Sequence, residues 1–534
     1  MIRHRKGKTK MKKTTAMMAA SLMIMSLVLG GCGTTSAATA ATTAAVETET
    51  QAQTETTQTD TAQDSAEQTD AAQDTKAQTE TTSGSSTAKI PSAEEIEITE
   101  TIENNTDEEH AITADGEEAS YSNIAVVKTG DAEGDEADFY GANAAIFATN
   151  GGSLTLSEIT VSTDGKHANG VFSYGEGTTV TISDSVIETS GNCSGGLMTT
   201  GGGTMNARNL LIHTTGNSSA AIRSDRGGGT VNVTGGSYTT EGTGSPVIYS
   251  TADITVSDAE MESTASQGVV VEGQNSVTLN NVNLTASNIT KNSNKSEWYQ
   301  AVMIYQSMSG DADEGLASFA MNGGTLTNLN GDIFFVNNTT ATIDLTGATI
   351  VNEDSEGVFL RAAAAGWGSE GSNGGHVTMN ASGQNIDGDM IVDEISSLNL
   401  YLKDNSSFSG AINSDGANGD VYVEIEDGST WTLTGDSYIT SLTCSAGSIN
   451  LNGHKLYVNG EEYAEGTASE GEAIVVETTS SGGHGDHSGS GHGGGTPPEK
   501  PGSGSGSAGP GGDGSEPPAK PDGDNSEPPA KPGE

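Results

Sequence analysis

The pattern of apolar and polar positions repeats along the middle of this chain. From Ser153 to Ser276, units of 23 to 26 residues each open with a stretch in which apolar and polar residues alternate. These stretches read SLTLS, TVTIS, TMNAR, TVNVT and DITVS, in units that begin at Ser153, Thr178, Thr204, Thr230 and Asp253. Alternation with a period of two predicts a strand with one buried face. A turn residue, often Asp, Asn or Gly, precedes a second short strand, and a third strand completes the unit.

Three short strands in each unit predict a parallel β-helix. One unit cannot bury its apolar face, but stacked units pair each strand with its equivalents in the units above and below, about 4.8 Å away. We therefore expect an all-β, single-stranded parallel β-helix. Its interior should hold Val, Ile, Leu, Met and Ala, and its outer surface Thr, Ser, Asn and Glu. Parallel crossovers are almost always right-handed, so we expect a right-handed helix.

The repeat becomes less regular after Ser276. Later coils are predicted to start near Ala317, Ala341, His376, Ser397 and Val421. Two insertions interrupt them, from Ser287 to Gln300 and from Ala362 to Gly375. Residues 449–463 are expected to form a hairpin at the carboxyl end. Residues 96–127 are expected to cap the amino end, because uncovered end coils would expose unpaired strands.

Composition divides the chain into four parts. Residues 1–31 are predicted to be a lipoprotein signal peptide, and residues 32–92 a linker rich in Thr, Ala and Gln. Residues 93–478 are the predicted β-helix, and residues 479–534 are a tail rich in Gly, His and Pro. The linker and the tail have no apolar period, so both are predicted to be disordered.

The amino terminus carries a signal for lipidation. Basic residues precede an apolar stretch from Ala16 to Leu29, which is followed by Gly30, Gly31 and Cys32. This order resembles a bacterial lipobox, with a plain signal peptide as the alternative. We expect Cys32 to be the lipidated first residue of the mature chain, held at the extracellular face of the cell membrane. The start is either Met1 or Met11.

The remaining two cysteines, Cys193 and Cys444, lie many coils apart in the predicted helix. A disulfide needs Cα atoms within about 7 Å. We therefore do not expect these two residues to pair with each other.

Charge excludes two classes of partner. The chain has 22 Lys and Arg against 72 Asp and Glu, a formal net charge of −50. Such a chain repels nucleic acid and anionic lipid. The acidic residues between Glu94 and Asp138 either keep the protein soluble or bind Ca²⁺ loosely. No other cofactor is expected.

The coil pattern resembles that of a known superfamily. The phrases AAIRSDRGGG, SPVIYSTADITVSD and GVVVEGQNSVTLNN carry the resemblance. They resemble right-handed parallel β-helix proteins of the pectin-lyase-like superfamily, and more closely the adhesin-like surface lipoproteins of Gram-positive bacteria. The resemblance covers about residues 93–463. It implies a fold and a cell-surface location, and no established reaction.

Two rare cations mark the first candidate binding site. Arg223, Asp225 and Arg226 precede three glycines at the end of a third strand. Two guanidinium groups could clamp the carboxylate of an acidic sugar. Alternatively, Asp225 pairs with an arginine and holds the glycine turn in place.

An acidic turn marks a second candidate site. Asp311, Asp313 and Glu314 also follow a third strand, so this turn is expected on the same side of the helix as Arg223. Three carboxylates could hold Ca²⁺ weakly, or they could form a solvated acidic turn.

Scarce aromatic residues occur in the two insertions. Trp298 and Tyr299 lie in the first, and Trp367 lies in the second. They either pack against sugar rings or anchor the insertions to the wall of the helix. In the tail, His484, Asp486, His487 and His492 have a spacing that could bind a transition metal weakly.

The sequence favours a binding protein over an enzyme. Its opening strands present Thr, Ser and Asn, and Asp184 and Asp258 occupy equivalent turn positions that suit a ladder better than an acid–base pair. We expect a non-catalytic surface lipoprotein that binds a glycan or another cell-surface ligand. The alternatives are a lyase or glycoside hydrolase for acidic glycans, and a structural spacer or self-associating protein.

Overall fold

The computed structural model describes residues 89–291 and 293–476. The predicted signal peptide with Cys32, nearly all of the predicted linker and the predicted tail lie outside these residues. No helix within the described part has the length and apolar character needed to cross a membrane.

The described part is a parallel β-helix, which confirms the predicted fold class. Its strands form a 21-stranded sheet and an 11-stranded sheet, with further small sheets of four and three strands. Successive coils pair in parallel, and residues at equivalent positions lie in register, as in Leu156 opposite Ile182. Each coil contributes to three walls, which we call wall 1, wall 2 and wall 3 in chain order within the repeated unit.

Wall 1 contains the opening strands of the coils. Its strands are Glu118–Ser122, Ser153–Ser157, Thr179–Ser183, Asp253–Ser257, Ser276–Asn280, Leu316–Asn322, Thr339–Thr346, Gly375–Ser382, Ser397–Lys403, Asp420–Ile425 and Ser441–Cys444. Two longer strands, Gly203–Thr214 and Gly229–Thr240, run through both wall 1 and wall 2. The predicted later coil starts are therefore confirmed to within two residues.

Wall 2 contains the second strands. These are Glu100–Asn104, Ile124–Lys128, Thr160–Thr163, Val186–Thr189, Glu260–Ser263, Asn283–Ala286, Thr325–Asn328 and Thr349–Asn352, followed by Asn385–Asp387, Ser407–Ser409, Thr430–Thr432 and Ile449–Asn450.

Wall 3 contains the third strands. These are Ile112–Asp115, Ile146–Thr149, Val171–Tyr174, Leu197–Thr200, Ile222–Ser224, Ile248–Ser250, Val269–Glu272, Gln300–Tyr305, Asp332–Asn337, Leu360–Ala362 and Met390–Val392, followed by Ser437–Ile439 and Leu456–Val458. The one helix in the described residues, Asp135–Phe139, is a single short turn outside this wall.

The interior is a stack of aliphatic side chains, as predicted. On wall 1, Ile182, Ala207, Val233 and Val256 occupy one buried column in consecutive coils. Phe334 extends the core in a later coil, with its ring centroid 5.6 Å from that of Phe319 and 5.6 Å from that of Phe359. Burial of this interior core as a whole is the main hydrophobic contribution to folding.

A ladder of left-handed turn residues joins wall 1 to wall 2. Asp184, Asn209, Asp258 and Asn281 have φ of 51°, 53°, 55° and 53°, a conformation that Asn and Asp adopt more readily than other non-glycine residues. Gly235 occupies the same position with φ of 69°. The amide of Asn281 donates to the carboxylate of Asp258 over 2.8 Å. The prediction that these aspartates form a turn ladder is confirmed.

The corner after wall 2 contains a second ladder that the sequence pattern did not reveal. The hydroxyls of Thr189, Thr214 and Thr240 donate to main-chain oxygens of Ser194, Ser219 and Ser245 over 2.5, 2.5 and 2.6 Å. These threonines are buried and lie in register. Because each hydroxyl has a partner in its own coil, the polar row can occupy the interior.

The two ends of the helix differ from each other. The prediction that residues 96–127 cap the amino end is wrong, because their strands Glu100–Asn104, Ile112–Asp115 and Ile124–Lys128 pair in parallel with later coils. At the carboxyl end the predicted hairpin is confirmed, since Leu456–Val458 pairs antiparallel with Glu461–Glu462.

The cysteine prediction is also confirmed. Cys444 is buried and free. It therefore forms no disulfide with Cys193.

We expect Phe334→Ala to destabilise the fold by about 3–5 kcal/mol, because it removes a buried ring from between two others and leaves a cavity. The measurement is denaturant unfolding followed by circular dichroism. Thr255→Ala, on the outer face of wall 1, is the matched control and should change stability by less than about 0.5 kcal/mol. Equal losses in the two variants would contradict the assignment of interior and exterior faces.

Candidate functional site

The outer face of wall 3 is not the polar surface that the sequence predicted. Met198, Arg223, Tyr249, Val270 and Met303 lie in register on consecutive strands of this wall. Tyr249, Val270 and Met303 belong to a buried cluster separate from the interior core. The expectation of Thr, Ser and Asn on every outer face is therefore wrong for this wall, because loops and insertions cover it.

The two insertions provide much of this cover. Trp367 is 2% exposed, and its ring packs edge-on against Tyr305 with centroids 5.2 Å apart. Trp298 packs on Phe335 with centroids 5.6 Å apart. Both tryptophans thus hold their insertions on the wall, which is the anchoring arrangement of the two that the sequence left open. Tyr299 lies beside Lys291, whose Nζ is 5.0 Å from the ring centroid.

Arg223 and Asp225 form a buried ion pair at the centre of the wall. The guanidinium donates to Asp225 Oδ2 through Nε at 3.1 Å and through a terminal nitrogen at 2.6 Å. Arg223 is 5% exposed and Asp225 is fully buried. The carboxylate also accepts the main-chain N–H of Arg226 at 3.1 Å, so it holds the start of the glycine turn.

Arg226 connects this turn to two covering segments. Its Nε donates to Asp311 Oδ1 at 2.8 Å, and a terminal nitrogen donates to Asp135 Oδ2 at 3.0 Å. The guanidinium carbon also lies 3.6 Å from the ring centroid of Phe139. The structure therefore brings the acidic turn and the short helix onto the arginine turn. Asp311 is buried in this contact.

The other two carboxylates of the acidic turn point elsewhere. Asp313 and Glu314 are exposed. Only Asp311 therefore takes part in the buried contacts of wall 3.

A buried glutamate that the sequence analysis missed completes the cluster. Glu272 ends the strand Val269–Glu272, and its Oε2 accepts the hydroxyls of Tyr249 and of Tyr305, the latter at 3.0 Å. All three side chains are buried. A recognisable signal was present, because GVVVEGQ places an acid at the end of an unbroken apolar strand.

Burial dominates the electrostatics of this cluster. It raises the pKa of Asp225 to about 7; the charge of Arg223 opposes the shift, and the charges of Asp311 and Glu272 add to it. Burial also raises the pKa of Glu272, while the hydroxyl groups that donate hydrogen bonds to its carboxylate lower the pKa and oppose this shift. The cluster can hold a proton near neutral pH, a property found in acid–base sites and also in structural ion networks.

A second group of buried side chains lies near this cluster, on the same side of the β-helix. His167 Nδ1 is 2.9 Å from Asp138 Oδ1, and ligand atoms of Asp138, His167 and Cys193 lie within 4.8 Å of one another. Cys193 has a bonding partner of its own, so this trio is not an open metal centre. Neither Cys32 nor His484, Asp486, His487 and His492 belongs to the described residues.

An open cleft of about 620 Å³ lies beside the second insertion. One side is built from residues 364–373 and the other from Asp393, Glu394 and Ile395, which follow the strand Met390–Val392. In contrast to the buried cluster, this cleft is accessible to a ligand.

Comparisons with protein-family models, with curated proteins and with solved structures each find no significant match.

We expect stability to fall as pH rises from about 4 to about 7, and Glu272→Gln to reduce that fall. A carboxyl whose pKa is raised on folding binds more protons when folded than when unfolded, so its contribution is fully present below the unfolded pKa, about 4, and is lost as pH rises through the folded pKa. For Asp225 that loss runs from about pH 4, the unfolded pKa, to about pH 7, the folded pKa, and is nearly complete above it. The measurement is the thermal midpoint at several pH values.

The control for this prediction is Glu262→Gln, which changes an exposed glutamate on wall 2. It should keep the parent's dependence on pH. If Glu272→Gln also keeps that dependence, Glu272 does not titrate as the structure indicates.

Proposed function

We propose that this chain is a lipid-anchored surface protein whose β-helix binds glycans, or another cell-surface ligand, without cleaving them. The observation that supports this best is the outer face of wall 1. It presents rows of Asn, Ser, Thr and Asp side chains in register over many coils.

The rows are ordered by bonds between coils. Amide groups donate to side-chain oxygens of the preceding coil, at 3.0 Å from Asn232 to Asn206 and at 2.8 Å from Asn380 to Asp344. Such bonds fix the orientation of the amides and leave further donors and acceptors free. Hydroxyls of a sugar polymer both donate and accept hydrogen bonds, so a repeating polar surface suits a repeating polar ligand through many weak contacts.

The carboxylates argue for binding over cleavage. Asp184 and Asp258 are engaged in the turn ladder by Asn209 and Asn281. Asp225 and Glu272, whose pKa values are raised by burial, lie under the cover of wall 3. A substrate would reach them only after that cover moved.

The anchor and location follow from the lipobox-like segment. Lipid on Cys32 would hold the chain at the extracellular face of the membrane, and the linker would separate the β-helix from the lipid surface. The pectin-lyase-like and adhesin-like resemblance agrees with a surface role. The net charge of −50 argues against nucleic acid as a partner.

A second candidate function is cleavage of acidic glycans at wall 3. It is favoured by the pKa of Asp225, raised to about 7 beside Arg223. A carboxyl poised near neutral pH can act as a general acid or base, and the two arginines could orient a uronate.

We expect the full chain to bind polysaccharides and to release no new reducing or unsaturated ends from them. The measurement is binding to a panel of neutral and acidic polysaccharides, with product analysis of the same mixtures, with and without Ca²⁺. Cleavage that Asp225→Asn abolishes would establish the second candidate instead. Absence of both binding and cleavage would refute glycan binding and would leave another cell-surface ligand, a structural spacer or a self-associating protein.

We expect Cys32→Ala to release the protein into the medium or to leave it unprocessed, because the lipid would have no thiol to join. The measurement is cell fractionation with detection of the full chain. Cys444→Ala is the matched control, since Cys444 is a buried free thiol of the β-helix and should not affect anchoring. Normal maturation and anchoring of the Cys32 variant would refute the anchor.

A further inference from the structure

The open cleft beside the second insertion has a mixed lining, in which the charged side chains are all acidic. Glu370 and Glu394 are exposed on its two sides. Asp393 holds one wall in shape, since its carboxylate accepts the N–H of Ala364 at 2.7 Å and the hydroxyl of Ser396 at 2.6 Å. The volume of about 620 Å³ lies within the range of small-ligand sites.

The cleft is braced before any ligand arrives. The main-chain N–H of Gly366 donates to the main-chain oxygen of Lys295 at 2.6 Å, which joins the second insertion to the first. Trp367 anchors the same insertion on wall 3. A braced site loses less conformational entropy when it binds.

The negative charges of the cleft favour neutral ligands over anionic ones. Its lining contains Glu370, Asp393 and Glu394 and neither Lys nor Arg. Carboxylates accept hydrogen bonds from hydroxyl groups, and they repel the carboxylates of uronates. The chain as a whole adds to that repulsion through its net charge of −50.

An exposed aromatic pair lies on the same wall. The rings of Tyr438 and Tyr457 are stacked, with centroids 5.0 Å apart and planes inclined by 6°. Tyr438 is 42% exposed. Lys455 lies near this pair, but its Nζ forms an ion pair with Glu462 Oε2 at 2.8 Å, which offsets its charge.

The register places this pair close to the cleft. Met390 bridges to Ile412, and the N–H of Tyr438 donates to the oxygen of Ile412 at 3.0 Å. Tyr438 therefore lies two coils beyond the strand that leads into Asp393, roughly 10 Å along the wall. A chain of a few sugars spans that distance.

From these observations we propose that the cleft and the Tyr438–Tyr457 pair together bind a neutral, hydroxyl-rich glycan. The carboxylates of the cleft accept the sugar hydroxyls, and the exposed tyrosine ring packs against the apolar face of a neighbouring sugar. The inference rests on the proposed glycan-binding function, and it names the site and the ligand class within it.

The test uses the full chain and two matched probes. The first is the neutral polysaccharide of the panel that binds most tightly, and the second is the same polymer oxidised at C6 to the uronate. We expect the neutral probe to bind more tightly. Tyr438→Ala should weaken its binding about tenfold or more, as expected for an aromatic contact. Glu394→Gln should weaken it by a smaller factor and should reduce the preference over the oxidised probe.

Two variants control for the chemistry of each change. Glu356→Gln alters an exposed glutamate in the turn before Leu360–Ala362, and Tyr174→Ala alters a half-buried tyrosine at the end of the strand Val171–Tyr174, many coils away from the cleft and outside wall 1. Neither should change the affinity. Unchanged binding by the cleft variants, loss of binding in Tyr174→Ala alone, or tighter binding of the oxidised probe would overturn the site while glycan binding itself stood. If no polysaccharide of the panel binds, glycan binding itself is refuted.

Discussion

The stacking of coils at a single interstrand spacing controls this structure. Because successive strands pair in parallel and in register, the neighbours of each side chain are the equivalent residues of the coils above and below, about 4.8 Å away. Every position therefore becomes a ladder, and a residue is tolerated only if it packs or bonds with its own equivalents. Aliphatic columns satisfy this condition in the interior. Asn satisfies it outside, since an amide can donate to the next amide or to a carboxylate, as Asn281 does to Asp258.

The same constraint explains why wall 3 needs a cover. Its outer ladder contains Met, Tyr, Val and Phe, which would otherwise form a long exposed apolar stripe. The two insertions, the acidic turn and the short helix lie over it, and Arg226 ties two of these segments to the wall. Desolvating Arg223, Asp225 and Glu272 under this cover costs free energy. The ion pair between Arg223 and Asp225 and the hydrogen bonds from tyrosine hydroxyls to Glu272 only partly offset that cost. The pKa of Asp225 therefore remains raised to about 7.

The sequence was sufficient for wall 1 and insufficient for wall 3, for a physical reason. Wall 1 strands alternate strictly, so a stretch such as TVNVT shows both faces in its letters. Wall 3 strands are continuous apolar runs, such as VVVE, QAVMIY and DIFFVN. A continuous run is typical of a strand buried on both faces, and on that rule the cover was predictable. The residues that form the cover could not be predicted in the same way. The contact of Arg226 with Asp311, for example, joins residues 85 positions apart, and Asp311 lies in an irregular loop.

Specific recognition is expected where the period breaks. On wall 1 each coil repeats the chemistry of the one before, so a ligand could shift by one coil and find nearly the same contacts. At the second insertion and the last coils the ladder is irregular: Arg361 is opposite Ile391, and two coils further on Tyr438 is opposite Tyr457. The glycan proposed for that site would have only one position that satisfies both the carboxylates and the aromatic ring. Under the proposed glycan-binding function, the regular coils contribute length and rigidity, and the irregular coils determine which sugar is bound and in which position.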